Sequence, residues 1–304
     1  MSKAMDRCIV IGAINMDIRG ICGRSIVMGD SNPGKVRMSP GGVGRNIAHN
    51  LSLLGGKAEL LTALSDDSFG QVLEASCREA GIGLSLAVRP KNTRTGTYLY
   101  VTGPDHDLFV GVSDTEIAKH INRDLIRSRL KELNEASVTV IDGNLDEETL
   151  SFIASEVGSP LFADPVSRAK GVKLLPILSR IHTIKPNRFE AEALTGEDRP
   201  EYAADALRNK GVQNVFVSCG RDGTYVSTDA FTGMLPAVPA CVRNTTGAGD
   251  AMTAGLIRAY LSGMDSRRAA LFSMTAAAIA AESEETIAKD LSYERVLERM
   301  EAIE

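Results

Sequence analysis

Short β-branched strands alternate with helical segments along most of this chain, and this alternation constrains the fold more than any other feature. The predicted strands cover residues 8–11, 57–64, 137–141, 161–163, 181–184 and 215–218. The predicted helices cover residues 44–54, 69–80, 123–133, 147–156, 203–209 and 248–261. Strands joined through helices form parallel βαβ units. We therefore predict an α/β protein with a doubly wound, mainly parallel sheet flanked by helices, including a buried Ala-rich helix over 269–281.

Two segments interrupt the alternation. Residues 21–39 are punctuated by Gly, Ser and Pro, and residues 93–111 alternate in a way that predicts antiparallel strands with a turn at 103–105. We predict a small β-sheet lid, inserted at about 18–40 and 93–112 of a single domain spanning 1–304. An ordinary hairpin packed on the main body is the alternative. Because a lid sheet leaves strand edges open, we expect a homodimer that pairs through the lid.

Charge and cysteine content exclude several classes of protein. The 34 Lys and Arg residues against 39 Asp and Glu give a net charge of −5, without the basic excess of a nucleic-acid binder. No apolar run reaches the roughly 20 residues that span a bilayer. The start of the chain lacks a long apolar signal segment, and the five cysteines are widely spaced. We expect a cytoplasmic protein with reduced thiols, and no membrane or nucleic-acid partner.

The segment NTTGAGD at residues 244–250 leads into a predicted helix. Gly247 and Gly249 permit close backbone approach, and the first N–H groups and the dipole of a helix attract anions such as phosphate. The same dipole is expected to keep Asp250 ionised. That carboxylate would repel the anion unless a substrate hydroxyl lay between them and gave its proton to Asp250. The alternative is structural, with Thr245 or Thr246 as N-cap and Asp250 as a partner of the helix dipole.

A second Gly-rich helix start, PGGVGRN at residues 40–46, carries Asn46 in its first turn. An amide pairs with hydroxyl groups without requiring charge, which suits a polyhydroxy compound. The sequence contains no P-loop, no dinucleotide-binding Gly motif after the first strand, and no H-E-x-x-H segment. The four histidines show no spacing typical of metal ligands.

Five segments in order resemble the ribokinase-like (PfkB) family of sugar and nucleoside kinases over nearly the whole chain. They are GAINMD at 12–17, GGVGRNIA at 41–48, KPNRFE at 185–190, SCGRDG at 218–223 and TTGAGD at 245–250. The resemblance implies a ribokinase-like fold, an ATP-dependent phosphotransferase activity, Mg²⁺ as cofactor and a small nucleoside or sugar as substrate. A non-catalytic nucleoside-binding protein on the same scaffold is the alternative from another class.

The resemblance also implies roles for the matching residues. The implied catalytic group is Asp250, the base, with Gly247, Ala248 and Gly249, whose N–H groups stabilise the transferring phosphoryl group. The implied ligands of the sugar hydroxyls are Asn15, Asp17, Gly42 and Asn46. The implied ATP site comprises Asn187, Ser218, Gly220, Gly223 and Thr246, with Asn187 and Glu190 holding Mg²⁺ through bound water. Structural alternatives are a strand-end cap for Asp17, and a helix N-cap for Asn187 with Glu190 as its partner.

Segments 30–35, 40–46 and 164–170 resemble the bacterial pseudouridine-kinase branch of the family, which phosphorylates the 5′-hydroxyl of pseudouridine with ATP. Ser31, Asn32 and Lys170 are the candidate contacts to the base, and solvated loop residues are the alternative. A kinase of another nucleoside such as inosine, or of ribose or fructose, is the other possibility within the family. Asn244 stands where the C-terminal signature usually has Asp, so a K⁺ requirement is an open question.

Overall fold

The computed structural model describes residues 7–103 and 108–303. Twelve strands are described: β1 (Arg7–Ile11), β2 (Asn15–Cys22), β3 (Gly34–Gly41), β4 (Lys57–Leu61), β5 (Thr97–Thr102), β6 (Leu108–Asp114), β7 (Val138–Asp142), β8 (Leu161–Asp164), β9 (Ile181–Ile184), β10 (Asn214–Ser218), β11 (Thr224–Ser227) and β12 (Thr232–Leu235). The helices described are α1 (Val43–Leu53), α2 (Ser68–Glu79), α3 (Arg123–Ser128), α4 (Leu130–Asn134), α5 (Glu147–Glu156), α6 (Arg168–Gly171), α7 (Arg188–Thr195), α8 (Pro200–Asn209), α9 (Ala248–Leu261), α10 (Ser266–Ala281) and α11 (Tyr293–Glu301), with 3₁₀ turns at Glu116–His120, Val172–Arg180 and Gly220–Asp222.

The larger sheet has eight strands in the order β12-β11-β10-β9-β8-β7-β1-β4. Its strands from β10 to β4 pair in parallel, whereas β11 and β12 add an antiparallel edge. The predicted doubly wound, mainly parallel sheet is therefore confirmed. The antiparallel edge was not predicted, because its two strands have four residues each and β12 lacks the buried apolar run of the central strands.

Side chains on the central strands alternate between two hydrophobic cores. Cys8 and Val10 of β1 enter one core with α1, α9 and α10, whereas Ile9 and Ile11 enter the other with α5 and α8. Successive side chains of a strand point to opposite faces, so a strand covered on both sides reads as a continuous apolar run. The predicted Ala-rich helix is confirmed within α10, which packs against α9.

Most predicted helices start or end within three residues of the observed ones, and the bounds of α5 and α9 were predicted without error. The helix predicted over 123–133 is instead two helices, α3 and α4. Arg129 separates them, because its backbone (φ −118°, ψ 10°) leaves the helical region. The strand predicted over 57–64 ends at Leu61, and only a single bridge follows, between Ala63 and Val88.

The second sheet, in the order β3-β2-β5-β6, stands apart from the main sheet, and we call it the lid. It confirms the predicted small β-sheet against the alternative of a hairpin on the main body. Strands β2 and β5 pair in parallel and the other two pairs are antiparallel. The lid strands cover residues 15–41 and 97–114, whereas the predicted insertions cover about 18–40 and 93–112. The predicted turn at 103–105 lies partly outside the described residues, and the single-domain organisation stays a prediction.

The strand order reverses between β1 and β7, because the chain passes from β1 to β4 on one side and continues with β7 to β10 on the other. Ligands of doubly wound sheets bind at such a switch point, beyond the carboxyl ends of the strands. Here the backbone N–H of Ala13, after β1, donates to Asp142 Oδ2 at the end of β7 over 3.1 Å. The lid leaves the main sheet at the same place, which puts the candidate site beneath it.

Gly143, directly after β7, provides a test of how tightly this edge is packed. A Cβ at this position would overlap the Pro165 carbonyl oxygen and lie 3.1 Å from its carbon, so the backbone after β8 must shift. We expect Gly143→Ala to lower the free energy of unfolding by about 1–3 kcal/mol, measured by urea titration. Gly23→Ala is the control, since a Cβ there meets nothing within 4 Å. Equal stability of the two variants would contradict the prediction.

Candidate active site

Helix α9 begins without a side-chain cap. Its N-cap is Gly247, with φ +85° in the left-handed region, and a Cβ there would overlap the Thr286 carbonyl. The structural alternative with Thr245 or Thr246 as N-cap is therefore wrong, although Asp250 does lie in the first turn. No side chain occupies the helix start. The Ala248 N–H makes only a long bond, 3.3 Å, to the Thr245 carbonyl, and the first N–H groups of α9 can therefore turn to an anion from outside.

The carboxylate of Asp250 meets the other Gly-rich helix start. Asn46, in the first turns of α1, donates through Nδ2 to Asp250 Oδ2 over 2.9 Å. Burial, followed by the negative charge of Asp164, raises the pKa of Asp250 to about 7, although Asn46 and Lys185 act in the opposite direction. The expectation from the helix dipole, a simply ionised carboxylate, is thus corrected. A carboxylate with a pKa near neutrality is well matched to accept a proton at physiological pH.

A buried ion pair lies next to this carboxylate. Lys185, directly after β9, places Nζ 3.3 Å from Asp164 Oδ2, and the two side chains are only 7% and 5% exposed. Thr253 of α9 donates to the same oxygen over 2.9 Å. A Cβ on Gly249 would lie 3.1 Å from Lys185 Nζ, so the ammonium group lies against the first turn of α9.

Neighbouring carboxylates keep the amine of Lys185 protonated. Burial lowers the pKa of Lys185, but the carboxylates of Asp164, Glu190 and Asp250 raise it above its usual value overall. A protonated amine therefore adds to the positive end of α9. No role was predicted for Lys185 or Asp164 from the sequence. The signal was present, since each is a charged residue placed at the end of a buried parallel strand, where ligands of such sheets bind.

The residues predicted to hold sugar hydroxyls surround the base of the lid. Asn15 Nδ2 donates to Asp17 Oδ1 over 2.6 Å, and a Cβ on Gly41 would overlap the Asp17 carboxylate. Asp17 lies inside β2, so the alternative of a strand-end cap is wrong. Burial raises the pKa of Asp17 to about 6, with Asn15 and Arg45 partly opposing it. Gly42, with φ +96°, is the N-cap of α1.

Arg45 connects the lid with the start of α9. Its buried guanidinium donates to Asn46 Oδ1 over 3.2 Å and to Ser76 Oγ over 2.8 Å, and its positive charge lowers the pKa of Asp17. Asn46 in turn contacts Asp250. Asp17 and Asp250 thus stand at the two ends of a series of interactions through Arg45 and Asn46, and we call the region between these two carboxylates the cleft.

The predicted nucleotide residues occupy the next strand ends. Asn187 caps α7 and forms a capping box with Glu190, with bonds of 3.0 Å from Glu190 N and 2.8 Å from Asn187 N. The structural alternative for this pair is therefore confirmed, and it leaves their magnesium role as a prediction. Ser218, at the end of β10, bridges to Asn187, and Gly220 and Gly223 have positive φ in the following turn. Thr246 is exposed before α9.

These groups fit a magnesium nucleotide by the chemistry of their donors. Mg²⁺ prefers oxygen ligands and usually keeps several waters, with substrate phosphates completing its shell. Glu190 and Asp250 offer carboxylate oxygens of this kind near Lys185. In the described parts of the chain, no group of three or more His, Cys, Asp or Glu residues is arranged to hold a metal without such partners. The site therefore suits an ion that arrives with phosphate and water.

Two of the three predicted base contacts, Ser31 and Asn32, lie away from the cleft. The amide of Asn32 bonds to the backbone of Val27 and Asp30, and Ser31 lies in the same exposed turn of the 23–33 connection. This turn lies beyond Cys22, about 17 Å along β2 from Asp17. Lys170 of α6 donates to Asn144 Oδ1 over 2.6 Å, near the end of β7. The structure does not bring these three residues together.

Both polar atoms of the Asn244 side chain form hydrogen bonds. Its Oδ1 accepts the N–H of Thr246 over 3.0 Å, and its Nδ2 donates to the Glu284 carbonyl over 3.2 Å. Within residues 7–103 and 108–303, no helix has both the length and the apolar character to cross a bilayer.

Comparisons with known proteins agree with this geometry. The model of the pfkB family of carbohydrate kinases matches residues 5–292. The chain is 36% identical to the pseudouridine kinase of Escherichia coli K12, covering 99% of both chains. It is also 37% identical to an uncharacterized sugar kinase, YeiI, of the same strain, covering 90% of this chain and 77% of that one.

Solved structures show the same fold. Ribokinase from Thermotoga maritima superimposes with a TM-score of 0.87 at 22% identity, covering 97% of this chain and 99% of that one. A carbohydrate kinase from Agrobacterium tumefaciens gives 0.86 at 29% identity, covering 98% and 97%. With its ribokinase-like fold, the two Gly-rich helix starts in contact, and a family match over nearly its whole length, the chain belongs to the pfkB family of carbohydrate kinases.

Proposed function

We propose that this kinase transfers the γ-phosphoryl group of ATP to the 5′-hydroxyl of pseudouridine. The observation that carries the chemistry is the hydrogen bond between Asp250 and Asn46. The carboxylate of Asp250 has a pKa of about 7 and lies in the uncapped first turn of α9, and Asn46 lies in the helix that follows the lid. The likeness to the Escherichia coli pseudouridine kinase over 99% of both chains supports the substrate.

In this proposal Asp250 accepts the proton of the 5′-hydroxyl while that oxygen bonds to the γ-phosphorus, and the bond to the β–γ bridging oxygen of ATP breaks to release ADP. The N–H groups of Ala248 and Gly249, with the Lys185 ammonium, stabilise the negative charge on the phosphoryl oxygens. Asn187 and Glu190 would hold Mg²⁺ through bound water, and the ion would neutralise phosphate charge.

The lid side holds the ribose. Asp17 and Asn15 at the start of β2, with Asn46, present acceptors and donors for the sugar hydroxyls, and the missing side chain of Gly41 leaves room for the Asp17 carboxylate. Asp17 accepts hydrogen bonds best when ionised, and its pKa of about 6 allows this at neutral pH. Closure of the lid excludes water, which would otherwise take the phosphoryl group.

A kinase of another nucleoside or of a free sugar is the second candidate, because the likeness to the sugar kinase YeiI is of similar strength. A coupled assay of ADP release with pseudouridine, uridine, inosine, ribose and fructose distinguishes the two candidates. We expect the highest kcat/KM with pseudouridine, and phosphate on its 5′-oxygen by NMR. Preference for ribose or fructose would contradict the proposal.

Asp250→Asn tests the base. Since general-base assistance contributes about 10²–10⁴ in rate, we expect kcat to fall at least 100-fold while the Kd for the nucleoside stays within a few-fold. In the wild type, kcat/KM should rise as pH increases to about 7 and then level, because only ionised Asp250 accepts a proton. Asp17, with a pKa of about 6, adds to this loss at acid pH.

Asp124→Asn is the matched control, since Asp124 is also a first-turn aspartate, at the exposed start of α3. The Asp250→Asn variant should also unfold no lower in temperature than the wild type at pH 8. Its neutral amide avoids the unfavourable burial of a charge that raises the Asp250 pKa. Turnover near that of the wild type would exclude Asp250 as the base.

We also propose that the protein is a cytoplasmic homodimer that pairs through the lid. On the outer face of the lid, Val36, Met38 and Val112 are 73%, 63% and 61% exposed, and β3 and β6 have open edges. Light scattering after gel filtration should give twice the chain mass of 32.5 kDa. Met38→Glu should weaken pairing, whereas Val27→Glu in the 23–33 connection should not. A wild-type monomer at micromolar concentration would contradict the proposal.

A further inference from the structure

The two faces of the lid carry different kinds of side chain. Its register aligns Met38, Ile18, Leu99 and Val112 in one row across β3, β2, β5 and β6, and the neighbouring row aligns Ser39, Asp17, Tyr98 and Ser113. Residues opposite each other in register share a face, so the apolar row is on the side away from Asp17. Asp17 borders the cleft through Asn15 and Arg45. Tyr98 and Tyr100 therefore lie on the cleft-facing side.

These two tyrosines form a stacked pair. Their ring centroids are 5.0 Å apart and the ring planes differ by 21°. Gly111 of β6 makes room for the first ring, because a Cβ there would lie 2.9 Å from Tyr98 Oη and 3.1 Å from Cε2. The ring of Tyr98 is thus laid along the sheet. Both tyrosines are only half-buried, although aromatic rings usually gain most by full burial.

The surroundings of the pair are charged. The Arg19 guanidinium lies 5.9 Å from the centroid of the Tyr100 ring, and Arg37 is opposite Arg19 in register. Asp17 is opposite Tyr98 in register, and burial, followed by the negative charge of Asp17, raises the pKa of Tyr100 above its usual value. The ring pair therefore adjoins the carboxylate that is proposed to hold the ribose, with guanidinium groups beside it.

We infer that Tyr98 and Tyr100 form a stacking platform for the planar base of a nucleoside, and that they favour base-bearing substrates over free sugars. A ribose held by Asp17 projects its aglycone along the same face of the lid. A planar ring gains from stacking on an aromatic side chain, whereas a hydroxyl or hydrogen at the anomeric carbon gains nothing there. The guanidinium groups suit the carbonyl oxygens of a pyrimidine.

This inference rests on the proposed nucleoside kinase activity and replaces the distant Ser31 and Asn32 as the main contacts to the base. It requires a planar base but not pseudouridine in particular. The measurement is the Kd of pseudouridine, uridine and inosine by calorimetry, together with turnover of each nucleoside and of ribose. Tyr98→Leu and Tyr100→Leu remove one ring each.

We expect each leucine variant to weaken nucleoside binding by about 5- to 150-fold, the factor that corresponds to about 1–3 kcal/mol of stacking per base. Tyr98→Phe should bind within about twofold of the wild type, because it keeps the ring, and it shows that the strand tolerates substitution. Tyr202→Leu, at an exposed tyrosine of α8, is the remote control and should change nothing.

The outcomes separate the two proposals. If pseudouridine is phosphorylated and the leucine variants bind it as the wild type does, only the stacking inference is overturned. If another nucleoside is preferred and the leucine variants lose it, the inference holds and pseudouridine is wrong. If the wild type phosphorylates ribose and binds no nucleoside, both are overturned. Equal losses in Tyr98→Phe and Tyr98→Leu would assign the effect to the hydroxyl and also overturn the inference.

Discussion

The hydrogen bond between Asn46 and Asp250 is the interaction on which the rest of the site depends. It joins residues 204 positions apart in the chain, and it holds the starts of α1 and α9 against each other. One helix start follows the lid and the other faces the nucleotide residues. Because the Asp250 carboxylate itself makes this bond, the group that we propose as the base also sets the distance between the two halves of the cleft.

Electrostatics around that bond are balanced between opposing charges. Asp164 raises the pKa of Asp250, whereas Lys185 lowers it, and these two residues form their own buried ion pair. Removing one member of a buried pair leaves an uncompensated charge, so Lys185 and Asp164 are coupled in stability. The backbone after β8 also contacts this ion pair, because Asp164 Oδ1 accepts the N–H of Val166. Val166 has a φ of +69°, in the left-handed region. Strain of this kind is typical of functional sites.

Local sequence signals predicted much of this architecture. The apolar periodicity and the Gly-rich start of α9 defined that helix without error, and five motifs in order indicated the family. The ion pair of Lys185 with Asp164 could not be predicted in the same way. It depends on β8 and β9 being neighbours in the sheet, which is a property of strand order rather than of either segment. The positions of Ser31 and Asn32 were similarly hidden, because loop composition does not indicate how far a strand carries its end from the site.

The uncapped start of α9 has a further consequence. Most helices recruit a serine, threonine or aspartate to satisfy their first N–H groups, and several helices of this chain do so, among them α2 and α5. At α9 that position is a glycine in the left-handed conformation. An anion that binds there would complete the cap, so part of its affinity would be the free energy of finishing a secondary-structure element, and this turn should fray first when no anion is bound.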